Sequence, residues 1–119
     1  MKILIVDDSK AMRSIVRKNI KEAGYEASEI VECENGQEAL DAIRSSRPDV
    51  VFSDWNMPIM TGIELLEALR AEPCDVPFGF VTSESSADFK ERAFDSGAAF
   101  MITKPFTADD FARCLAPFS

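Results

Sequence analysis

The sequence predicts an α/β protein with one doubly wound parallel sheet of five strands and five flanking helices. Its 119 residues are the size of one domain, 1–119, which can bury a core without disulfides or a structural metal. Five short apolar runs alternate with five segments whose apolar residues recur at helical spacing. Such alternation predicts right-handed crossovers, and therefore a parallel sheet covered on both faces.

Apolar runs predict the strands. Most of them are nearly continuous, which is typical of strands buried on both faces. The second alternates only weakly, and Gly79 weakens the fourth. The predicted strands are residues 2–6, 28–33, 49–53, 77–81 and 99–103.

Residues that begin or end helices mark the segments between these strands. Gly24 ends the first helix, Asn35 with Glu38 begins the second, and the third stops before Pro73. The signals for the last two helices are Ser85 with Asp88, Gly97, Thr107 with Asp110, and Pro117.

Composition argues against several classes of function. The chain has no histidine, so it has no histidine-based triad, no histidine metal site and no phosphohistidine of its own. A net charge of −8 repels nucleic acid and attracts divalent cations and basic partner surfaces. The three cysteines are odd in number and lack metal-ligand spacing, so reduced thiols are expected. They are Cys33, Cys74 and Cys114.

No targeting or membrane segment is evident. The N-terminal "MKILIVDD" is too short and too soon acidic for a signal peptide. No apolar run approaches the roughly 20 residues that a membrane helix needs. We therefore expect a cytoplasmic protein that does not insert into membranes.

Polar residues follow four of the predicted strands. Asp7 and Asp8 follow the first, Asp54 the third, Thr82 the fourth and Lys104 the fifth. In a flavodoxin-like strand order of 2-1-3-4-5, strands one and three are neighbours at the point where ligands bind. That order brings three carboxylates together, with a hydroxyl and an ammonium beside them.

Three clustered carboxylates predict a cation. Two unit charges ~4 Å apart repel by about 4 kcal/mol at an effective dielectric of ~20. Mg²⁺ would relieve this repulsion, with oxygens from Asp8, Asp54 and the backbone carbonyl of Asn56. Asp54 would keep a free oxygen for phosphoryl transfer, and Lys104 and Thr82 could stabilise the transferred group.

Each of these residues alone has an ordinary explanation. An aspartate at a strand end is usually a turn or cap residue, and Asp8 could be the N-cap of the first helix. Lys104 could be surface charge, and Thr82 could pack through its methyl group. Their joint placement at four strand ends favours the functional interpretation.

Four motifs carry a family resemblance: "VDDS" (6–9), "SDWNMPIMTG" (53–62), "VTSES" (81–85) and "TKPF" (103–106). Together they resemble a response-regulator receiver domain over essentially the whole chain. The chemotaxis-type single-domain receivers look most similar, because of "DWNMP" and of "RAE" after "ELL".

The resemblance implies a role for each site residue. Asp54 is the phosphorylated aspartate, and it binds Mg²⁺ together with Asp7, Asp8 and the carbonyl of Asn56. Of the acidic pair Asp7 and Asp8, the resemblance favours Asp8 as the direct metal ligand. Thr82 is the switch hydroxyl, and Lys104 contacts the phosphoryl group from a cis Lys104–Pro105 bond.

Further positions tune the expected behaviour. Asn56 and Glu84 lie where the family tunes the phosphate lifetime, and both could orient an attacking water, so a short-lived phosphoryl group is expected. Met101 replaces a usual aromatic residue and cannot donate a tyrosine-like hydrogen bond. Ser83 replaces a smaller residue, and Thr61 stands where aspartate is frequent, without evident consequence.

The expected function is a stand-alone monomeric phospho-switch, not a turnover enzyme. A histidine kinase or phosphotransfer domain supplies the phosphoryl group, and a downstream protein reads the face of helix four, strand five and helix five, including Lys90, Met101 and Arg113. The chain ends soon after its last helix, although the 119 residues could also be part of a longer protein.

Three alternative functions share parts of this residue pattern. A relay or phosphate sink without output is not separable from a switch by sequence. A Mg²⁺-dependent phosphohydrolase is disfavoured because Asn56 stands where its general acid is needed. A pseudo-receiver that never carries phosphate is disfavoured because no acidic or lysine residue of the site is missing.

Overall fold

A computed structural model describes all residues, 1–119, and confirms the predicted fold class. The strands are all parallel and lie in the order β2-β1-β3-β4-β5. They are β1 (Lys2–Val6), β2 (Glu29–Cys33), β3 (Val50–Ser53), β4 (Phe78–Thr82) and β5 (Phe100–Thr103). The helices are α1 (Lys10–Glu22), α2 (Gly36–Ser45), α3 (Gly62–Ala71), α4 (Ala87–Asp95), α5 (Ala108–Leu115) and a 3₁₀ helix (Ala116–Phe118).

Two apolar layers hold the helices against the sheet. On one face α1 and α5 bury Val16, Ile20, Phe111 and Leu115. On the other face α2, α3 and α4 cover a larger cluster, which includes Trp55. Covering both faces explains why the central strands β1, β3 and β4 are buried along almost their whole length. None of the helices combines the length and the apolar character needed to cross a membrane.

Several predicted boundaries shift by one residue. Thr82 is the last residue of β4 rather than the residue after it, because it pairs with Thr103 of β5. Ser86, not Ser85, is the N-cap of α4, and its hydroxyl accepts a hydrogen bond from the Phe89 N–H at 3.3 Å. Adjacent serines give the same capping signal, so the sequence could not separate them.

The ends of α1 and α5 also differ from expectation. Ser9, rather than Asp8, caps α1, so the carboxylate of Asp8 is not used as an N-cap. Pro117 does not follow directly on α5, because the chain continues into the 3₁₀ helix, whose first turn tolerates a residue without an N–H.

Other predicted helix signals are confirmed. Gly24 and Gly97 have positive φ angles of 106° and 104° just after α1 and α4. The Asn35 side chain accepts a hydrogen bond from the Glu38 N–H at 2.8 Å. Asp110 accepts a hydrogen bond from the Thr107 N–H at 2.8 Å. The expected cis Lys104–Pro105 bond is present, and Glu72–Pro73, which was not predicted, is also cis.

Gly79 has a packing role that the sequence did not reveal. It lies in register between Phe52 of β3 and Phe100 of β5. Because Gly79 has no side chain, the two phenylalanine rings meet above it, with centroids 5.1 Å apart. The ring of Phe52 also packs against Phe111 of α5 at 5.3 Å. The glycine therefore makes room for the aromatic contact that anchors α5.

We expect Gly79→Ala to destabilise the fold. A Cβ at this position would lie 1.9 Å from Cε1 of Phe100, and overpacking of this kind costs about 1–3 kcal/mol. Urea denaturation measures the free energy of unfolding. The double variant Gly79→Ala/Phe100→Leu relieves the overlap, so its loss should be smaller than the sum of the two single losses. Strictly additive losses would refute the steric explanation.

Candidate functional site

The acidic residues lie at the carboxyl ends of two neighbouring strands. In the register of β1 and β3, Val6 lies opposite Ser53, so Asp7 and Asp54 are the next residues of the two strands. The backbone pairing continues past the strands, because the Asp54 N–H donates to the Val6 carbonyl at 2.8 Å. The Asp7 N–H likewise donates to the carbonyl of Cys33 at 3.0 Å. Strand pairing therefore fixes the backbone from which both carboxylates project.

The structure brings the three predicted carboxylates together. One oxygen from each of Asp7, Asp8 and Asp54 lies within 4.8 Å of the others. They differ in exposure: Asp7 is only 4% exposed, Asp54 is half-buried and Asp8 is exposed. The cluster thus has one buried carboxylate and an open side from which an ion or another ligand can enter.

Burial and mutual repulsion disfavour the charged carboxylates. Burial raises the pKa of Asp7 to about 6, Asp54 and Asp8 add to this rise, and the Ser9 N–H and Lys104 oppose it. The pKa of Asp54 is also raised, mainly by burial and further by Asp8, against the opposing effects of Lys104 and the Trp55 N–H. The positive charge of Lys104 therefore does not balance the negative charges of the three carboxylates.

The donor atoms of the cluster fit a hard divalent cation. Carboxylate oxygens with one carbonyl oxygen are ligands that Mg²⁺ prefers, usually with waters completing the octahedron. The backbone carbonyl of Asn56 accepts no backbone hydrogen bond and is free to serve as that carbonyl ligand. The residues present thus match the ligand set expected for Mg²⁺.

Thr82 and Lys104 lie next to each other across β4 and β5. The Lys104 N–H donates to the Thr82 carbonyl at 2.9 Å. The Thr82 side chain is 1% exposed, and its hydroxyl accepts a hydrogen bond from the Glu84 N–H at 3.2 Å. Lys104 influences both Asp7 and Asp54 electrostatically but forms no direct ion pair. Its ammonium is therefore available to a further anion.

Trp55 links the acidic site to α4. Its backbone N–H donates to Oδ1 of Asp54 at 2.7 Å. Its ring is buried, with the Phe80 ring 4.7 Å away and the Phe89 ring of α4 4.8 Å away. As the only tryptophan, Trp55 reports by fluorescence on both Asp54 and the packing of α4.

Two of the three residues predicted for the partner surface line a common cleft. Met101 and Arg113 line one cleft of about 340 Å³ between β5 and α5. Lys90 is exposed on α4 and does not line this cleft. Met101 is half-buried and packs against the apolar layer that contains Trp55.

Thr61 and Gly62 support the site in a way that was not predicted from the sequence. Thr61 and Glu64 form a capping box at the start of α3, with the Thr61 N–H donating to Glu64 Oε1 at 2.9 Å. A Cβ on Gly62 would lie 2.1 Å from the carbonyl oxygen of Asp54, so only glycine allows α3 to approach this closely. The spacing of Thr61 and Glu64 carried the signal for this capping box.

The raised pKa of Asp7 predicts an unusual pH dependence of stability. Its pKa is 3.8 in an ordinary setting and about 6 in the folded protein, so the folded state binds more protons between these values. Without divalent cations, the free energy of unfolding should fall as pH rises through this interval, by on the order of 3 kcal/mol. Urea denaturation at a series of pH values measures this.

Asp7→Asn removes the titrating group, so the difference between wild type and this variant isolates the effect of Asp7. The variant should be the more stable protein at neutral pH. Asp95→Asn, which changes an exposed carboxylate on α4, is the matched control and should leave the pH slope unchanged. A difference between wild type and Asp7→Asn that does not vary with pH would contradict the raised pKa.

Comparison with known proteins places this site in a family. The model of the response regulator receiver domain matches residues 3–116. The chain is 40% identical over 110 residues to the chemotaxis protein CheY of Pseudomonas aeruginosa, covering 91% of this chain and 87% of that protein.

Solved structures agree with this assignment. The Vibrio cholerae chemotaxis protein CheY4 superposes with a TM-score of 0.85 at 34% identity, covering 99% of this chain and 98% of that chain. The receiver domain of the Francisella response regulator 1452 superposes with a TM-score of 0.88 at 29% identity, covering 98% of this chain and 94% of that chain. The chain therefore belongs to the family of response regulator receiver domains.

Proposed function

We propose that this protein is a stand-alone phospho-switch that accepts a phosphoryl group on Asp54. A histidine kinase or a phosphotransfer protein would supply the group, and Mg²⁺ would bind to Asp7, Asp8, Asp54 and the carbonyl of Asn56. The observation that carries the proposal is the cluster of three carboxylate oxygens within 4.8 Å in a receiver domain. The unpaired ammonium of Lys104 beside them is the second support.

Asp54 is positioned as a nucleophile with one oxygen already held. Oδ1 accepts the Trp55 N–H, which leaves Oδ2 to attack phosphorus. In the transfer, the bond from Oδ2 to phosphorus forms while the bond from phosphorus to the donor nitrogen or oxygen breaks, and the donor keeps that electron pair. Lys104 stabilises negative charge on the phosphoryl oxygens. Bound Mg²⁺ supplies the remaining charge neutralisation.

Thr82 is the residue through which we propose that phosphorylation changes the surface. Its hydroxyl, which accepts the Glu84 N–H, would donate its own proton to a phosphoryl oxygen. Because Thr82 is buried at the end of β4 and bonded to Glu84, a movement of its side chain toward the phosphoryl group would move the start of the β4–α4 loop. A downstream protein would read the altered face of α4, β5 and α5, including Lys90, Met101 and Arg113. Two of the relatives named above are chemotaxis proteins, which favours a role of this kind.

Turnover of a separate substrate is not part of this proposal. Asn56 stands where a phosphohydrolase of this type needs a general acid, and an amide cannot donate that proton. None of the three surface clefts is lined by Asp54. Asn56 is exposed and Glu84 half-exposed, so either could orient a water that hydrolyses the phosphoryl group and keeps it short-lived.

The protein would work in the cytoplasm as a monomer and would not insert into membranes. Its net charge of −8 favours basic protein surfaces over nucleic acid as partners. A relay or phosphate sink remains the alternative role, and it differs from a switch in needing no change at the α4 face. An unphosphorylated pseudo-receiver would fail to take up phosphate at all.

The first test is phosphorylation in solution. Wild type should show a Mg²⁺-dependent change in Trp55 fluorescence and a further change with acetyl phosphate. Asp54→Asn should abolish the response to acetyl phosphate completely, because an amide oxygen is not a nucleophile of comparable strength. Intact-protein mass spectrometry should find the added phosphoryl group in wild type and not in Asp54→Asn.

Asp49→Asn is the matched control for this experiment. Asp49 lies at the other end of the same strand, where it is exposed and accepts the Lys2 N–H at 2.7 Å. This variant should be phosphorylated as wild type is. Absence of any response in wild type would refute the phospho-switch and favour the pseudo-receiver.

A second variant separates the switch from the sink. Thr82→Val keeps the shape of the buried side chain but removes its hydroxyl, so Asp54 should still be phosphorylated while the α4 face no longer responds. Amide chemical shifts of Lys90 and Met101, compared with and without phosphodonor, measure that response. Thr82→Ser, which restores a hydroxyl, should recover part of it. Equal, non-zero shifts in wild type and Thr82→Val would refute the role of Thr82, whereas the absence of any shift in phosphorylated wild type would support a sink.

A further inference from the structure

Arg13, on α1, contacts the backbone of the acidic site. Its side chain on α1 is only 12% exposed. Nη1 donates to the backbone carbonyl of Asp7 at 2.6 Å, and Nε donates to Oε1 of Glu32 at 3.0 Å. A single guanidinium thus joins α1, β2 and the turn that carries Asp7 and Asp8.

The carbonyl that Arg13 binds belongs to the peptide group between Asp7 and Asp8. That group is planar, so holding its oxygen fixes the direction in which the chain enters Asp8. The rest of Asp7 is already held, because its N–H bonds to Cys33 and its Oδ1 accepts the Ser9 N–H at 2.8 Å. Asp8 is exposed, so its position depends on the backbone that Arg13 fixes.

The geometry of this contact requires arginine. The planar guanidinium presents donors in a fixed fork, which here reach a carbonyl and a carboxylate together. Glu32 balances the charge of the largely buried Arg13 guanidinium and also pairs with Arg17 at 3.0 Å. A lysine at position 13 would keep the charge but would not hold both acceptors in this fixed geometry.

We propose that Arg13 is a positioning residue for the cation site. It orients the peptide between Asp7 and Asp8 so that both carboxylates face the same ion, and Glu32 holds the guanidinium in place. This inference rests on the proposed function, since the ion is the Mg²⁺ of phosphoryl transfer. Arg13 itself touches neither the ion nor the phosphoryl group.

The test compares Mg²⁺ affinity in Arg13→Gln and Arg17→Gln, followed by Trp55 fluorescence without phosphodonor. Arg17 is the matched control, because it lies on the same helix and binds the same Glu32 but makes no bond to Asp7. Arg13→Gln should weaken Mg²⁺ binding about 10–100-fold, as expected when a group that orients metal ligands is lost. Arg17→Gln should bind nearly as wild type does.

Two further readouts separate positioning from general stability or charge. In the ion-free protein, amide hydrogen exchange at Asp8 and Ser9 should be faster in Arg13→Gln than in Arg17→Gln. Arg13→Lys keeps the charge but loses the fork, so its Mg²⁺ affinity should stay well below that of wild type. This variant also carries the test if Arg13→Gln does not fold.

The outcomes distinguish the two proposals. Wild type that binds no Mg²⁺ would overturn the proposed function and this inference with it. Wild-type binding with equal affinities in the Arg13 and Arg17 variants would overturn the positioning role alone. Full affinity in Arg13→Lys would show that only the charge of Arg13 matters, which also refutes the inference.

Discussion

The crowding of three carboxylates at the ends of β1 and β3 is the constraint on which the rest of the structure depends. Asp7 is buried almost completely, and its pKa is raised to about 6, so the fold is stable in spite of this site and not because of it. Stability must come from elsewhere, and the two apolar layers that cover the sheet supply it. A site that costs stability and is nonetheless built from paired strands is typical of a functional centre.

The supports of this site come from backbone contacts with little freedom. Gly62 lets α3 approach the carbonyl of Asp54, and strand pairing holds the amides of Asp7 and Asp54. Arg13 holds the carbonyl of Asp7. Each of these contacts fixes main-chain atoms. The rigid part of the site is therefore its backbone together with Oδ1 of Asp7 and Oδ1 of Asp54, which accept the N–H groups of Ser9 and Trp55, and its adaptable part is the exposed carboxylate of Asp8.

The convergence of the site residues was predictable from local apolar patterns once the strand order of a flavodoxin-like fold was assumed. Apolar runs fix the strands, and parallel pairing brings their carboxyl ends to one edge, which places Asp7, Asp54 and Lys104 without knowledge of any contact. The contacts of Gly79 and Arg13 were not predictable, since each depends on residues far away in the sequence. A glycine in a strand looks like a weakness until the rings of its neighbours are seen to meet above it.

Charge balance links the cluster to the chemistry proposed for it. With all three carboxylates ionised and Lys104 protonated, the four groups sum to a charge of −2, which is the amount that one divalent cation neutralises. A phosphoryl group brings about two further negative charges and takes up the charge of one carboxylate on forming the acyl phosphate. With the ion bound, the phosphorylated site would keep a net charge of about −1, which a neutral buried donor such as the Thr82 hydroxyl can help to stabilise. Without the ion, its net charge would be about −3. If Asp54 accepts phosphate as proposed, the acidic cluster would make its reactivity conditional on the cation, because a bound ion would offset the repulsion between the carboxylates and the approaching anion.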